Sequence, residues 1–174
     1  LDAIACSDLN IGLVLNTNGV SVAAASYNIT SRTIAAGLTP AVTNGVVPAN
    51  LVAANYLTTD KFTNTGAIPL TVVYVVNGVS ASTCTGDIQS ITITINPEPV
   101  LAAGLNTSVC SDVAGGIVFN TNGTSVAAAN YNVTAVSIAA GLTSVSTVAI
   151  PATGVAANYL ATDTYTNNGN AALV

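Results

Sequence analysis

The chain has 174 residues, a formal net charge of −5 and 5% charged side chains, while 51% of its residues are hydrophobic. Two basic residues, Arg32 and Lys61, are too few for a nucleic-acid-binding surface, and no apolar run is long enough to cross a bilayer as a helix. Because the chain has no histidine, it cannot form a Ser-His or Cys-His nucleophile pair, and we expect no enzyme activity from it.

The order of apolar and polar residues predicts an all-β fold. Residues 12–15 are a short apolar run followed by Asn18-Gly19, which is a strong turn signal. Residues 27–30 alternate as a half-buried strand does, and residues 70–76 are rich in β-branched side chains, which is typical of a central strand. Residues 91–95 alternate strictly, so we expect isoleucine to face inward and threonine outward.

Turns and short alanine runs separate these segments. Asn44-Gly45, Thr65-Gly66 and Asn77-Gly78 are predicted to interrupt the strands. The alanine runs at 23–25, 35–36 and 53–54 are too short to nucleate a helix. About seven short strands in about 100 residues are typical of an antiparallel β-sandwich of the immunoglobulin type.

The chain contains an internal repeat. Residues 12–39 and 116–143 are identical at 20 of 28 positions with a fixed offset of 104 residues, which indicates a tandem array of similar domains. Between the two copies lies Asn96-Pro97-Glu98-Pro99, whose alternate prolines favour an extended connector. We therefore predict a complete repeat at 1–96, a linker at 97–99 and a second repeat at 100–174 that ends before the counterparts of its last strands.

The three cysteines follow the repeat. Cys6 and Cys110 occupy the same repeat position, and Cys84 lies late in the first copy. The simplest pairing is one disulfide per repeat, Cys6–Cys84, with Cys110 unpaired in this segment. Such a bridge would indicate an oxidising, extracytoplasmic location. The alternative is three buried free thiols.

A calcium site is a further hypothesis. Asp60 with Asn64, or Asp8 with Asp87 and Glu98 near the linker, would offer the oxygen ligands that calcium prefers. The alternative is that these side chains bond to nearby backbone in turns, as Asp and Asn commonly do. We expect no catalytic residue and no other cofactor or metal site.

The stretch FTNTGAIPLTVVYVV at 62–76, then CTGD at 84–87 and ITITINPEP at 91–99, carries a family resemblance, together with ACSD at 5–8 and VCSD at 109–112. It resembles the PKD-like, immunoglobulin-like repeats of large surface adhesins that gliding bacteria secrete through the type IX system. The resemblance implies tandem β-sandwiches, a location outside the cell or on the bacterial cell surface, and a structural or adhesive role in a stalk or filament. The implied partners are neighbouring repeats and surface or glycan ligands.

Two other functions remain open. The domain could bind a carbohydrate or another ligand through the loops at one end of the sandwich. Alternatively, the chain could be a filament subunit whose second repeat is completed by a strand from a neighbour.

Overall fold

The chain forms β-strands and no helix in the part that the structure describes. The computed structural model describes residues 1–145 and 148–173. These residues divide into two compact units, one comprising Leu1–Glu98 and Thr124–Val126, the other Pro99–Gly123 and Ala127–Val174. The all-β prediction is therefore confirmed, and the alanine runs do not form helices. Within the described ranges, no helix is long and apolar enough to span a membrane.

A five-stranded mixed sheet organises the first unit. The strands of this unit are β1 (Ala3–Cys6), β2 (Ser26–Ile34), β3 (Thr39–Pro40), β4 (Ala49–Val52), β5 (Phe62–Thr63), β6 (Leu70–Val79) and β7 (Gln89–Asn96). The sheet order is β1-β7-β6-β2-β4, and β3 and β5 pair separately. All pairs are antiparallel except β1 with β7, which run parallel from Ala3↔Ile93 to Cys6↔Asn96.

The core lies on one face of this sheet, and the alternation of β6 and β7 explains its position. Ile91, Ile93 and Ile95 are buried, whereas the threonines between them are half-buried on the other face. Val72 and Tyr74 of β6 are also fully buried. The prediction of inward isoleucine is confirmed, and β6 is a central strand between β7 and β2, as expected from its β-branched residues.

A second layer covers this face without forming a long regular strand. The apolar run at residues 12–15 was predicted to be a strand, but residues 11–15 are an extended segment outside the ladders. Its amides at Ile11, Gly12 and Leu15 donate to the carbonyls of Asp60, Thr58 and Ala54 at 2.9–3.0 Å. Buried Ile11, Leu13, Leu15, Leu57 and Phe62 belong to the same apolar cluster as the sheet residues. The arrangement is consistent with a β-sandwich.

The prediction of a turn at Asn77-Gly78 is wrong. Both residues lie within β6, where they pair with Asn28 and Tyr27 of β2. The reversal to β7 occurs later, in the loop at 80–88. A cross-strand ladder that continues to Ser26↔Val79 outweighs the local turn preference of Asn-Gly, because strand formation depends on the partner.

The described part of the second unit has no strand longer than four residues, whereas β2, β6 and β7 of the first unit have nine, ten and eight. Its strands are β8 (Tyr131–Val133), β9 (Leu142–Ser144), β10 (Ala152–Val155) and β11 (Tyr165–Asn167), which pair as β8 with β10 and β9 with β11. By the repeat offset, β8 corresponds to β2, which has nine residues. In the first unit β2 pairs with β6 along its whole length, and no strand in the described second unit occupies the β6 position.

Candidate functional site

The parallel pairing of β1 with β7 gives the first unit two distinct ends. We call the end with Leu1 and the β6–β7 loop the entry end, because the chain enters there. The opposite end, with Cys6 and Asn96 paired at the ends of β1 and β7, is the exit end. Leu1, Cys84 and Gln89 line one cavity at the entry end. The candidate side chains can therefore be assigned to the entry end, the exit end or the core between them.

The predicted Cys6–Cys84 disulfide is not formed, and the register gives the reason. Cys6 pairs with Asn96 at the last residue of β7, whereas Cys84 lies in the loop that precedes Gln89, its first residue. The two cysteines are separated by the length of β7, about 24 Å at about 3.4 Å per residue, whereas a disulfide needs Cα atoms within about 7 Å. Cys6, Cys84 and Cys110 are all free, and all are exposed rather than buried.

We expect the native chain to present all three thiols to a reagent. Because the three cysteines are exposed and unbonded, the folded protein should react with three equivalents of Ellman's reagent without denaturant or reductant. A triple Cys→Ser variant provides the baseline. If the untreated protein shows two reactive thiols fewer than the protein after reduction, the three cysteines are not all free and a disulfide is present.

A buried polar cluster centres on Asp60, which has no solvent exposure. Its Oδ1 accepts the Gly45 amide at 2.7 Å. Its Oδ2 accepts the Tyr74 hydroxyl at 2.6 Å and the Arg32 guanidinium at 3.3 Å, and Arg32 also donates to the Gly45 carbonyl. Burial, and then the Asp60 carboxylate, raise the pKa of the Tyr74 hydroxyl, so the tyrosine is a neutral donor. The cluster joins β2, β6 and the 44–61 segment, and it plays a structural part.

A second polar cluster at the exit end joins the Cys-Ser-Asp segment to β5. Asp8 accepts a hydrogen bond from Thr63 Oγ1. Ser7 Oγ accepts the Asn64 amide at 2.8 Å. Asn64 Nδ2 in turn donates to the carbonyls of Ile68 and Ile95, and its Oδ1 accepts the Gly66 amide. Asn64 thus holds together the ends of three segments, and its carbonyl also accepts the amide of Glu98 in the linker.

The same cluster recurs in the second unit. Thr166 Oγ1 donates to Asp112, and the Asn167 amide donates to Ser111 Oγ at 2.9 Å. Asn167 Nδ2 donates to the Ala171 carbonyl, and its Oδ1 accepts the Gly169 amide. In each repeat, therefore, the same hydrogen bonds join the motifs Cys-Ser-Asp and aromatic-Thr-Asn, which lie more than fifty residues apart in the sequence.

The calcium candidates are distributed over the molecule and do not form one site. Asp60 and Asn64 use their oxygens for the hydrogen bonds described above, and the Arg32 guanidinium beside Asp60 disfavours a cation. Asp8 and Glu98 lie together at the exit end, whereas Asp87 lies in the exposed β6–β7 loop near the entry end. Among the described residues, no group of three His, Cys, Asp or Glu side chains is placed to hold a metal.

The burial of Glu98 and its proximity to Asp8 make the stability of the folded first unit depend on pH. Partial burial, and then the charge of Asp8, raise the pKa of Glu98 above its ordinary value of 4.5. A raised pKa means that the folded unit binds this proton more tightly than the unfolded chain. Protonated Glu98 therefore contributes to the free energy of unfolding. This contribution is complete below pH 4.5 and is lost as the pH rises through the folded-state pKa of Glu98.

Replacing Glu98 with glutamine should therefore raise the melting temperature at pH 7 slightly and reduce its dependence on pH between 4 and 7. Circular dichroism melts at several pH values measure the effect. Asp87→Asn, in the exposed loop, is the matched control and should leave the pH dependence unchanged. An unchanged profile for Glu98→Gln would contradict the coupling.

The entry end of the first unit contains a cavity of about 580 Å³ that sequence reasoning missed. Its polar lining comes from side chains distant in the sequence, including Asn16, Asn18, Asn77, Asp87 and Gln89. Asn77 Oδ1 is buried and has no hydrogen-bond partner. The only sequence signal was the density of asparagine in the loops, which by itself indicates turns.

Comparisons with protein-family models, with curated proteins and with solved structures found no match to this chain.

Proposed function

We propose that this chain is a structural and adhesive repeat segment of a large extracellular surface protein, with immunoglobulin-like β-sandwich units arranged as a stalk or filament. The observation that carries the proposal is the parallel pairing of β1 with β7, from Ala3↔Ile93 to Cys6↔Asn96. Because the chain enters at one end of this pair and leaves at the other, tension applied through the termini pulls the two strands along their length. The ladder hydrogen bonds then share the force and must break together.

The interior of the unit supports the same role. Asn64 anchors the carbonyl of Ile95 and the amide of Glu98, so the connection to the linker is tied to the core. Asp60 joins β2 and β6 to the facing layer through Arg32, Tyr74 and Gly45. The Asn64 bonds strengthen the unit at the exit end, where a tensile load would leave it, and the Asp60 bonds hold its two layers together.

The location outside the cell rests on composition and on the family resemblance. A chain with 5% charged residues, of which two are basic, offers few sites to trypsin-like proteases, which suits an exposed protein. The three free thiols mean that a disulfide no longer supports this location.

Single-molecule stretching tests the proposal by changing only the direction of pulling. One measurement applies force between Leu1 and Pro99, and the other between Leu1 and Cys84, with Cys6 and Cys110 replaced by serine. Leu1 and Cys84 line the same cavity at the entry end, so the second geometry opens strands one bond at a time. We expect a severalfold higher unfolding force in the first geometry. Equal forces in both geometries would overturn the proposal.

A second candidate function is binding of a neutral saccharide in the entry-end cavity. The cavity has the size of ligand pockets, about 300–1,000 Å³, and amide and hydroxyl groups dominate its polar lining. The buried Asn77 Oδ1 needs a donor, which a sugar hydroxyl would supply. Nuclear magnetic resonance titration of the isotope-labelled chain with cellobiose and chitobiose tests this function. Binding in the cavity should shift the side-chain amide resonances of Asn77 and Gln89. Unchanged amide resonances with both sugars would remove it.

A further inference from the structure

The chain contains five Asn-Gly dipeptides, which begin at residues 18, 44, 77, 122 and 168. In this dipeptide the glycine amide nitrogen can attack the carbonyl carbon of the asparagine side chain, because glycine has no side chain to hinder the approach. Ammonia leaves, and the resulting succinimide ring is opened by water to aspartate or isoaspartate. The hydrogen bonds of the glycine amide and of the asparagine Oδ1 therefore determine which dipeptides react.

Two of the dipeptides are held by the fold of the first unit. The Gly45 amide donates to the buried Asp60 Oδ1 at 2.7 Å. Gly78 pairs with Tyr27 inside the ladder of β2 and β6. At either place the attack requires hydrogen bonds of the folded unit to break, so we expect both dipeptides to be stable in the native chain.

The Asn168-Gly169 dipeptide is exposed, but its glycine amide is also engaged. The Gly169 amide donates to Asn167 Oδ1 at 2.9 Å. This hydrogen bond must break before the Gly169 nitrogen can lose its proton and attack. The dipeptide is therefore a matched comparison for an exposed Asn-Gly whose glycine amide has no acceptor.

The exposed Asn18-Gly19 dipeptide combines an available nucleophile with a polarised carbonyl. Among the described residues, the Gly19 amide has no acceptor. Asn18 Oδ1 accepts three hydrogen bonds, from the Val20 amide at 3.0 Å and from the amide and hydroxyl of Ser21 at 2.8 Å each. Negative charge develops on this oxygen when the side-chain carbonyl is attacked, so the three donors act as an oxyanion hole does.

We propose that Asn18-Gly19 is a self-modification site, at which the folded chain converts Asn18 to aspartate or isoaspartate through a succinimide. Hydroxide removes the proton of the Gly19 amide, whose nitrogen forms a bond to Asn18 Cγ while the donors stabilise the oxyanion. The bond from Cγ to the side-chain nitrogen then breaks, and ammonia leaves with a proton from water, which restores the hydroxide. Water adds to either carbonyl of the succinimide and opens the ring.

The modification changes the charge of the entry end. Asn18 lines the entry-end cavity, so the product carries a new carboxylate in the wall of that cavity. The isoaspartate product also lengthens the backbone by one methylene group at the loop. The inference depends on the local hydrogen bonds and is independent of the proposed function.

Peptide mapping of the full 174-residue chain tests the proposal. The folded protein is incubated at mildly alkaline pH, and mass spectrometry measures the replacement of NH₂ by OH and the isoaspartate fraction at each dipeptide. We expect Asn18 to convert severalfold faster than Asn168. In urea, where the hydrogen bonds of both loops are lost, the two asparagines should convert at similar rates, which assigns the difference to the fold.

Variants of two neighbouring side chains separate the effect of the donors from that of exposure. Ser21→Ala removes the hydroxyl donor and should slow the conversion of Asn18 severalfold, whereas Ser21→Thr keeps the hydroxyl and should preserve the rate. Asn167→Ala releases the Gly169 amide and should accelerate the conversion of Asn168. The proposal is overturned if Asn18 and Asn168 convert equally fast in the folded chain, or if Ser21→Ala leaves the rate at Asn18 unchanged or raises it.

Discussion

Replacing Asp60 with alanine should destabilise the first unit by about 3–5 kcal/mol, the usual cost of removing one partner from a buried ion pair. The substitution leaves the Gly45 amide, the Tyr74 hydroxyl and part of the Arg32 guanidinium without an acceptor in the core. Since domains of this size are typically stable by about 5–15 kcal/mol, the loss is a large fraction of the total. Urea unfolding followed by circular dichroism measures it.

Neighbouring substitutions show whether the effect belongs to the cluster. Lys61→Ala changes an adjacent exposed side chain and should alter stability by less than about 0.5 kcal/mol. Tyr74→Phe removes one donor and should cost about 1–2 kcal/mol. The double variant Asp60→Ala, Tyr74→Phe should cost less than the sum of its parts, because the two groups share a hydrogen bond. A loss below about 1 kcal/mol for Asp60→Ala would contradict this role.

Asn64→Ala should cost roughly 3 kcal/mol, because it leaves several buried backbone groups without partners. Asn64 is fully buried and bonds through its side chain to Ile68, Ile95 and Gly66. We expect hydrogen exchange of β7 to accelerate most, since the Ile95 carbonyl loses its anchor. Exchange measured residue by residue separates this effect from changes in the second unit.

The repeat supplies a matched comparison within the same chain. Asn167→Ala removes the same side chain from the second unit, where the asparagine is only half-buried and has no counterpart of the Ile95 bond among the described residues. The destabilisation of its own unit should therefore be smaller than that caused by Asn64→Ala. Equal effects at the two positions would show that burial and the Ile95 bond are not what makes Asn64 important.

The strands of the core were predictable because their signal is local. The alternation in residues 91–95 and the β-branched run at 70–76 indicate which side chains are buried. In the structure both segments are strands, β7 and β6, with alternating buried side chains. The Asp60 cluster was not predictable, since Arg32, Gly45 and Tyr74 come from separate parts of the chain and nothing local connects them.

The cysteine pairing was wrong for a related reason. The repeat showed that Cys6 and Cys84 belong to one domain, but it carried no information on the direction of the strands that hold them. Only the parallel register of β1 with β7 places the two thiols at opposite ends. Similarly, a repeated sequence does not by itself fix the length of a strand, since β8 has three residues against nine in β2. A strand of this kind depends on its neighbour.

The pairing of the first strand with the last has a consequence for biosynthesis. Ala3 meets Ile93, so β1 has no ladder partner until nearly the whole repeat has been translated. While the nascent chain emerges, the edge of β2 that pairs with β6 and the surfaces of Leu13 and Phe62 remain unprotected, because β6 and β7 come last. The first unit therefore exposes apolar surface until β6 and β7 have been made, and partly made domains with such surface are prone to aggregate.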